Sequence, residues 1–363
     1  MNIKELDSRL VLTSGDAVVT LDPTSGATSS TTIPAPHLPP NLTKGQLEVL
    51  NKQDRTISSL ATSHTGQYIA VSTENKQIVL FDNNLTLVKS FIVNRAASKV
   101  LFTNQDDILV ADRTGDVFLY KFSDEKAEPT LLLGHLSMIL DMTLSECGRY
   151  IVTCDRDEKI RVSHFPNTYN IVSFCLGHEE FVTRVEFVSN VLVSASGDGT
   201  VRVWNFLKGE QLSDVNTNNN VDDANLLKEL SQEMDKEKVD VTALPIIDMQ
   251  TFCGDGVFIA VSLLNYKWIL LYKLSLENYS CQYVKSIKCD ETPFKFYLTS
   301  NLFIFDNSKL TIYDYCNNSS RDATKPPLKI TDCHNFITVL YKRKFDNVQE
   351  YLERKKQRLE SCK

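Results

Sequence analysis

Histidine, hydroxyl and carboxylate side chains occur together twice in the middle of the chain. The first group is His135, Thr153 and Asp157, and the second is His178, Ser194 and Asp198. Such residues could do acid–base chemistry, with the carboxylate orienting a histidine that acts as the base. The same pair recurs one repeat further along, however, and an enzyme has no use for an identical site on each repeat. We therefore interpret both groups as structural hydrogen-bond networks.

Other sequence signatures of catalysis are absent. The chain has no Gly-x-Ser-x-Gly, no Gly-rich phosphate loop, no Gly-x-Gly-x-x-Gly and no His-Glu-x-x-His. Its six histidines are scattered, and its nine cysteines include no Cys-x-x-Cys pair, as expected of reduced thiols buried in a cytosolic or nuclear protein. We expect no catalytic, metal or cofactor site on this chain.

A strand with alternating apolar and polar residues recurs six times, and the distance between its copies predicts the architecture. The six copies end at positions 81, 120, 163, 204, 272 and 313, so successive ends are 39, 43, 41, 68 and 41 residues apart. This is the period of a four-stranded propeller blade, about 40 to 45 residues. The long interval contains an insertion, residues 214–238, which is polar and Asn-rich and then charged. We predict a solvated loop, with a docking helix as the alternative because residues 224–234 have helical spacing.

The ends of the chain are expected to supply the seventh blade. Residues 9–21 are read as one strand and residues 336–341 as another, and together they would complete the last blade and close the ring. We thus predict an all-β, seven-bladed propeller over residues 1–341, with a Ser/Thr/Pro-rich loop at 24–45. A short basic helical tail would follow at 342–363, and its cations could be solvated, touch tRNA or direct nuclear import.

Composition limits the possible partners. The formal net charge of −7 should repel nucleic acid from the chain as a whole, so affinity for RNA would need a local basic patch or a basic partner. No stretch approaches 18 uninterrupted apolar residues, and the first ten residues do not read as a secretory signal. We expect no membrane association, and a location in the nucleus with the cytoplasm as the second compartment.

Two repeats resemble the WD repeat in particular. Gly134-His135 is followed by Asp157, and Gly177-His178 is followed by Asp198 and Trp204. The resemblance implies that each histidine bonds the aspartate of a tight turn, and that a strand hydroxyl, Thr153 or Ser194, and the Trp204 nitrogen extend the network. In the first repeat Ser163 stands where tryptophan would, so its network should be truncated and its outer edge unusual.

Residues 108–204 carry a more specific resemblance. The runs are VADRTGDVF at 110–118, LGHLSMILD at 133–141, DRDEKIRVS at 155–163 and SFCLGHEEFV at 173–182. They resemble the WD-repeat, non-catalytic subunit of the tRNA (guanine-N7)-methyltransferase, the wuho family. The resemblance implies a heterodimer in which the partner binds S-adenosylmethionine and most of the tRNA. This chain would be the scaffold, with no catalytic group.

The charged turn in the DRDEKIR run is the candidate partner site. Its residues are Arg156, Glu158, Lys159 and Arg161. Charges in a turn between strands can reach another protein, but a basic residue such as Arg161 also occurs in WD strands as a solvated edge, as Arg202 does one repeat later. Reversing the charges of Lys159 and Arg161 together is predicted to weaken the heterodimer and leave the monomer folded.

A second class of function stays open. The chain could be a general WD interaction platform, such as an adaptor for ubiquitin ligation or genome maintenance. An adaptor should capture peptides at the mouth of the central channel, whereas a scaffold should form one stable complex through the side of a blade.

Overall fold

The computed structural model describes residues 1–36, 54–121, 128–323, 330, 334–342, 353 and 356. Their strands form seven four-stranded sheets, each antiparallel and each wound in chain order. The first strand of every sheet contacts the first strand of the next, and the first and seventh sheets also meet. The result is the predicted closed, seven-bladed β-propeller.

Strands β1 to β28 follow the chain, four to a blade. Blade 1 consists of β1 Ile3–Leu6, β2 Arg9–Ser14, β3 Ala17–Leu21 and β4 Thr28–Thr32, and blade 2 of β5 Ile57–Thr62, β6 Tyr68–Thr73, β7 Gln77–Asp82 and β8 Leu87–Ile92. Blade 3 consists of β9 Ala97–Phe102, β10 Ile108–Asp112, β11 Asp116–Tyr120 and β12 Thr130–Gly134, and blade 4 of β13 Ile139–Leu144, β14 Tyr150–Asp155, β15 Ile160–His164 and β16 Ile171–Cys175. Blade 5 consists of β17 Val182–Val188, β18 Val191–Ser196, β19 Thr200–Asn205 and β20 Glu210–Asn216, and blade 6 of β21 Ile246–Cys253, β22 Val257–Leu263, β23 Trp268–Leu274 and β24 Cys281–Lys288. Blade 7 consists of β25 Lys295–Leu298, β26 Leu302–Phe305, β27 Leu310–Asp314 and β28 Ser319–Ala323. The six strands predicted from the repeat are the third strands of blades 2 to 7.

Ring closure differs from the prediction. Residues 3–32 build the whole of blade 1, because Asp7 and Ser8, both at positive φ, turn β1 into β2, and Gly15 turns β2 into β3. Residues 334–338 form helix α2 (His334–Thr338), so the strand predicted at 336–341 is wrong. Blade 1 instead meets blade 7 through apolar packing, for example of Leu12 and Val19 with Phe305.

Two segments predicted as loops contain regular structure. Thr28–Thr32 is the outer strand of blade 1. Its residues are exposed apart from the half-buried Thr31, and β-branched threonine suits an extended backbone. The rest of the predicted 24–45 loop lies partly outside the described residues.

The insertion contains helix α1, Ala224–Asp235, whose N-cap is Asp223. Leu230 and Met234 lie on one face of α1 and are buried against blades 5 and 6, so the prediction of a solvated loop is wrong. Apart from residues 342, 353 and 356, the predicted tail lies outside the described residues.

Candidate partner interface on blade 4

Blade 5 contains a complete histidine network. His178 Nδ1 lies 2.9 Å from Asp198 Oδ2, and its Nε2 lies 2.7 Å from Ser194 Oγ. Trp204 Nε1 donates to the same hydroxyl at 2.8 Å. Burial lowers the pKa of His178 despite its bond to Asp198, which keeps the imidazole neutral. Because Ser194 and Trp204 are fully buried, no substrate can reach the hydroxyl, and the group ties the turns of the blade together.

Blade 4 uses a different carboxylate from the predicted one. His135 Nδ1 lies 2.8 Å from Asp155 Oδ2 and its Nε2 lies 2.8 Å from Thr153 Oγ1. Asp155 ends β14 and also accepts from the backbone of Asp157 and Lys159, which folds the turn back over it. Asp155 follows His135 by 20 residues, as Asp198 follows His178, whereas Asp157 lies 3.5 Å from Lys342, so its assignment to the network is wrong.

The position of the missing tryptophan is occupied by an arginine–serine pair. Ser163 is fully buried, and its hydroxyl accepts from Arg161 Nε at 2.9 Å. Arg161 also donates to the carbonyl of Thr168 at 2.8 Å and to that of Gly134 at 3.3 Å. Burial lowers the pKa of Arg161. This side chain therefore joins the loop between β15 and β16 of blade 4 to the end of β12 in blade 3.

The other three candidate residues lie at the turn between β14 and β15. Arg156 donates to the carbonyl of Leu340 at 2.7 Å and to that of Tyr341 at 3.0 Å. Glu158 pairs with Lys342. Lys159 is exposed, and its ammonium makes one long bond, 3.3 Å, to the carbonyl of Asp157. Of the four candidates, Lys159 is the one whose charge is presented to solvent.

A C-terminal strap, residues 334–342, holds this turn in place. His334 bonds Glu233 of α1 at 2.9 Å, and the Tyr341 ring packs edge-on against Phe181 of blade 5 with centroids 5.0 Å apart. Ile337, Leu340 and Tyr341 are buried with Leu230 and Met234 of α1 in one apolar cluster. The strap, the insertion and blades 4 to 6 therefore form one packed unit.

The apolar run at residues 336–341 indicates a buried segment but is too short to distinguish a strand from a helix. In the structure α2 ends at Thr338, and Leu340 and Tyr341, which lie beyond it, are buried together with Ile337.

Comparison with known proteins identifies the family. A family model described as the tRNA methyltransferase TRM82 WD40 domain matches residues 27–130 and 120–325. The chain belongs to the TRM82 WD40 family.

Relatives of this TRM82-family chain are similar over most of their length. The Drosophila pseudoobscura pseudoobscura protein named tRNA (guanine-N(7)-)-methyltransferase non-catalytic subunit wuho is 32% identical, over 94% of this chain and 89% of its own. The Xenopus laevis protein named non-catalytic subunit wdr4 is 32% identical over 85% and 81%. A chain in a solved structure titled Crystal Structure of Mitotic Checkpoint Complex superposes with a TM-score of 0.63 over 82% of this chain and 83% of its own, at 13% identity, which shows the fold alone.

The central channel of this family member is polar. Its cavity, of about 420 Å³, is lined by the first strands of the blades and by Phe336 of the strap. Lys99 Nζ lies 2.6 Å from Asp141 Oδ1, and Arg184 Nε lies 2.8 Å from Asp248 Oδ1. These charges compensate one another across the channel wall, so the channel is not an apolar ligand pocket.

The cysteines in the described part of the chain differ in exposure and in pKa. A hydrogen bond from Arg149 lowers the pKa of the exposed Cys147 to about 7. Among the described residues no three His, Cys, Asp or Glu side chains are grouped to hold a metal ion. Their seven cysteines are unpaired, and three, Cys154, Cys175 and Cys289, are buried. Burial raises the pKa of Cys175 to about 12, so that thiol stays protonated. No described helix is long and apolar enough to cross a membrane.

Proposed function

We propose that this chain is the non-catalytic subunit of a tRNA (guanine-N7)-methyltransferase and acts as a rigid support for the catalytic subunit. The observation that carries the proposal is the match over nearly the whole chain to relatives that bear this name. The geometry is consistent with a supporting role, because the hydroxyl of the one complete histidine network is buried and the charged turn of blade 4 is held from both sides.

In the proposed heterodimer the catalytic subunit binds S-adenosylmethionine and most of the tRNA. The net charge of −7 favours this division, since tRNA is attracted by cations and this chain carries 46 acidic against 39 basic residues. Lys159 would meet an acidic group of the partner. Arg156, Glu158 and Arg161 would act indirectly, by fixing the turn that presents Lys159.

We also propose that the complex works in the nucleus, with a second pool in the cytoplasm. The sequence support is the basic run at residues 354–358, four of whose five side chains are cationic. A fluorescent fusion should accumulate in nuclei, and neutralising this run should move it to the cytoplasm. A wild-type fusion excluded from nuclei would overturn this part of the proposal.

The adaptor alternative makes a different structural demand. It needs an open channel mouth for peptides, whereas the strap places Phe336 against the channel, and the ion pairs Lys99–Asp141 and Arg184–Asp248 lie along the channel wall. These contacts favour the scaffold.

Co-expression with the catalytic subunit of the same organism tests the proposal. Size-exclusion chromatography should yield one stable complex with one copy of each chain. Failure of the two purified chains to associate would overturn it, and recovery of several unrelated partners in place of the methyltransferase would favour the adaptor.

A further inference from the structure

Charged side chains from the first strands of six blades line the cavity in the central channel. The cations are Lys4 of β1, Lys99 of β9, Arg184 of β17 and Lys295 of β25, and the carboxylates are Asp141 of β13, Glu186 of β17 and Asp248 of β21. Among the described residues of this lining, four cations therefore stand against three carboxylates. The whole chain has the opposite balance, with 39 basic and 46 acidic residues. The cavity is a positively charged site inside an acidic protein, and such a site attracts anions.

Two of the carboxylates are paired with two of the cations. Lys99 Nζ lies 2.6 Å from Asp141 Oδ1, and the other oxygen of Asp141 accepts from the backbone N–H of Val185 at 3.1 Å. Arg184 Nε lies 2.8 Å from Asp248 Oδ1. Close pairs with additional hydrogen bonds can offset the cost of removing both charges from water. These two pairs account for four of the seven charges.

The cations of blades 1 and 7 lack a close partner of this kind. Lys4 makes no hydrogen bond or ion pair within the part of the chain that the structure describes. Lys295 Nζ lies 3.9 Å from Asp248 Oδ2, which is too far for a hydrogen bond. The third carboxylate, that of Glu186, accepts from the backbone N–H and the hydroxyl of Thr251, each at 2.8 Å. Because β1 and β25 are in contact, the two lysines belong to neighbouring strands of the ring.

The environment of Lys4 shows that its charge is costly where it lies. Burial, the largest effect, lowers the pKa of Lys4, and the neighbouring cation of Lys99 lowers it further. A buried ammonium group beside a second cation is less stable than the same group in water. An anion held among these cations would remove that cost by pairing with them.

We propose that the central channel binds a small molecule that carries phosphate groups, with Lys4 and Lys295 as its main contacts. A phosphate group carries nearly two negative charges at neutral pH and three acceptor oxygens, so it matches two ammonium groups better than a carboxylate does. The cavity, of about 420 Å³, has the size of a small-molecule site. Phe336 of the strap lines the same cavity and is 49% exposed, so its ring is available to an organic part of the ligand. The proposal concerns the free chain and does not depend on the proposed function.

Titration of the free, full-length chain with phosphate compounds tests the proposal. The probes are tripolyphosphate and ATP in magnesium-free buffer, and sodium chloride at equal ionic strength is the reference. Calorimetry should show one tripolyphosphate bound per wild-type chain. The double variant Lys4→Gln, Lys295→Gln should bind about tenfold or more weakly, because two charge-assisted hydrogen bonds are lost. Lys288→Gln, which removes an exposed lysine from the outer strand of blade 6, is the control and should bind as the wild type does.

Stability measurements separate ligand binding from a purely structural role of the two lysines. In phosphate-free buffer the double variant should resist urea at least as well as the wild type, because it removes cations that have no close partner. Tripolyphosphate should stabilise the wild type and leave the double variant unchanged. Lys4→Gln alone repeats both measurements if the double variant fails to fold, as circular dichroism would reveal.

The proposal is overturned if the wild-type chain binds neither probe beyond the sodium chloride reference. It is also overturned if the lysine variants bind as tightly as the wild type, since the phosphates would then bind elsewhere. Tighter binding of ATP than of tripolyphosphate, lost in Phe336→Ala, supports the site and identifies its ligand as an organic phosphate. Equal binding of the two probes supports the site and shows that the phosphate groups alone are recognised.

Discussion

At the turn between β14 and β15, neighbouring charged side chains have different tasks. Arg156 fixes the strap, and Arg161 joins a loop of blade 4 to the outer strand of blade 3, while Lys159 presents its charge to solvent. This division changes the predicted effect of the double charge reversal, because reversing Arg161 also removes bonds inside the blade. The two residues therefore have to be tested separately.

Lys159→Glu should weaken the complex and leave the free chain unchanged. Arg161→Ala should lower the free energy of unfolding by roughly 1–2 kcal/mol, because it removes hydrogen bonds to two carbonyls. Urea denaturation of the free chains and pull-down with the catalytic subunit measure the two effects. Lys208→Glu, on an exposed turn of blade 5, is the control for Lys159. Undiminished pull-down by Lys159→Glu would contradict the role of Lys159.

The buried imidazole of blade 5 predicts a pH dependence. Burial, the largest effect, lowers the pKa of His178 below its ordinary value of 6.5. Near that pH the unfolded chain binds a proton that the folded chain refuses, so the free energy of unfolding falls on acidification. We expect His178→Gln to be less stable near neutral pH, and to lose less stability than the wild type between about pH 7.5 and about pH 5.5. Urea denaturation at both pH values measures this, and an equal or larger loss in the variant would count against it.

At the scale of elements, the strap is the part of the structure that other elements depend on. It joins α1 to blades 4, 5 and 6 and supplies the carbonyls that hold Arg156. The strap therefore stabilises the turn that presents Lys159, although it contributes no strand to any blade.

Tyr341→Ala should destabilise the free chain by about 3 kcal/mol, because a buried aromatic ring is lost from the cluster with Phe181. Val339→Ala is the matched control in the same strap. Val339 is 65% exposed, so its truncation should cost less than about 0.5 kcal/mol. The comparison is made by chemical denaturation. Equal stabilities of the two variants would show that the strap is not packed as described.

The elements also show how far the sequence could predict the molecule. The third strands of six blades were predictable, because short apolar strands ending in an aromatic or equivalent residue recur about every 40 residues, apart from one long interval. The packing of the strap was not, because it depends on blades 4 to 6, which lie far away in the chain. For α1 the helical spacing of residues 224–234 was a signal in the sequence. The turn carboxylate of blade 4 was predictable from its spacing, because Asp155 follows His135 by 20 residues just as Asp198 follows His178. An alignment on the third strands of the two blades points to Asp157 instead.

At the scale of the whole molecule, the chain is a ring closed by packing. Blade 1 is complete by residue 32 and packs against blade 7 through apolar side chains, without an exchanged strand. The inner strands place paired charges along the channel, and the outer strands of blades 3 and 4 leave an uncharged apolar edge. Such a ring can hold a partner at its side in a fixed orientation, which is what a non-catalytic subunit has to do.

The most direct test of the central claim is methylation of guanine N7 in tRNA by purified components. The catalytic subunit alone, this chain alone and the two together should be assayed at equal concentration with S-adenosylmethionine. We predict full activity with both chains, little with the catalytic subunit alone and none with this chain alone. Equal activity with and without this chain, or methylation by this chain alone, would contradict the account.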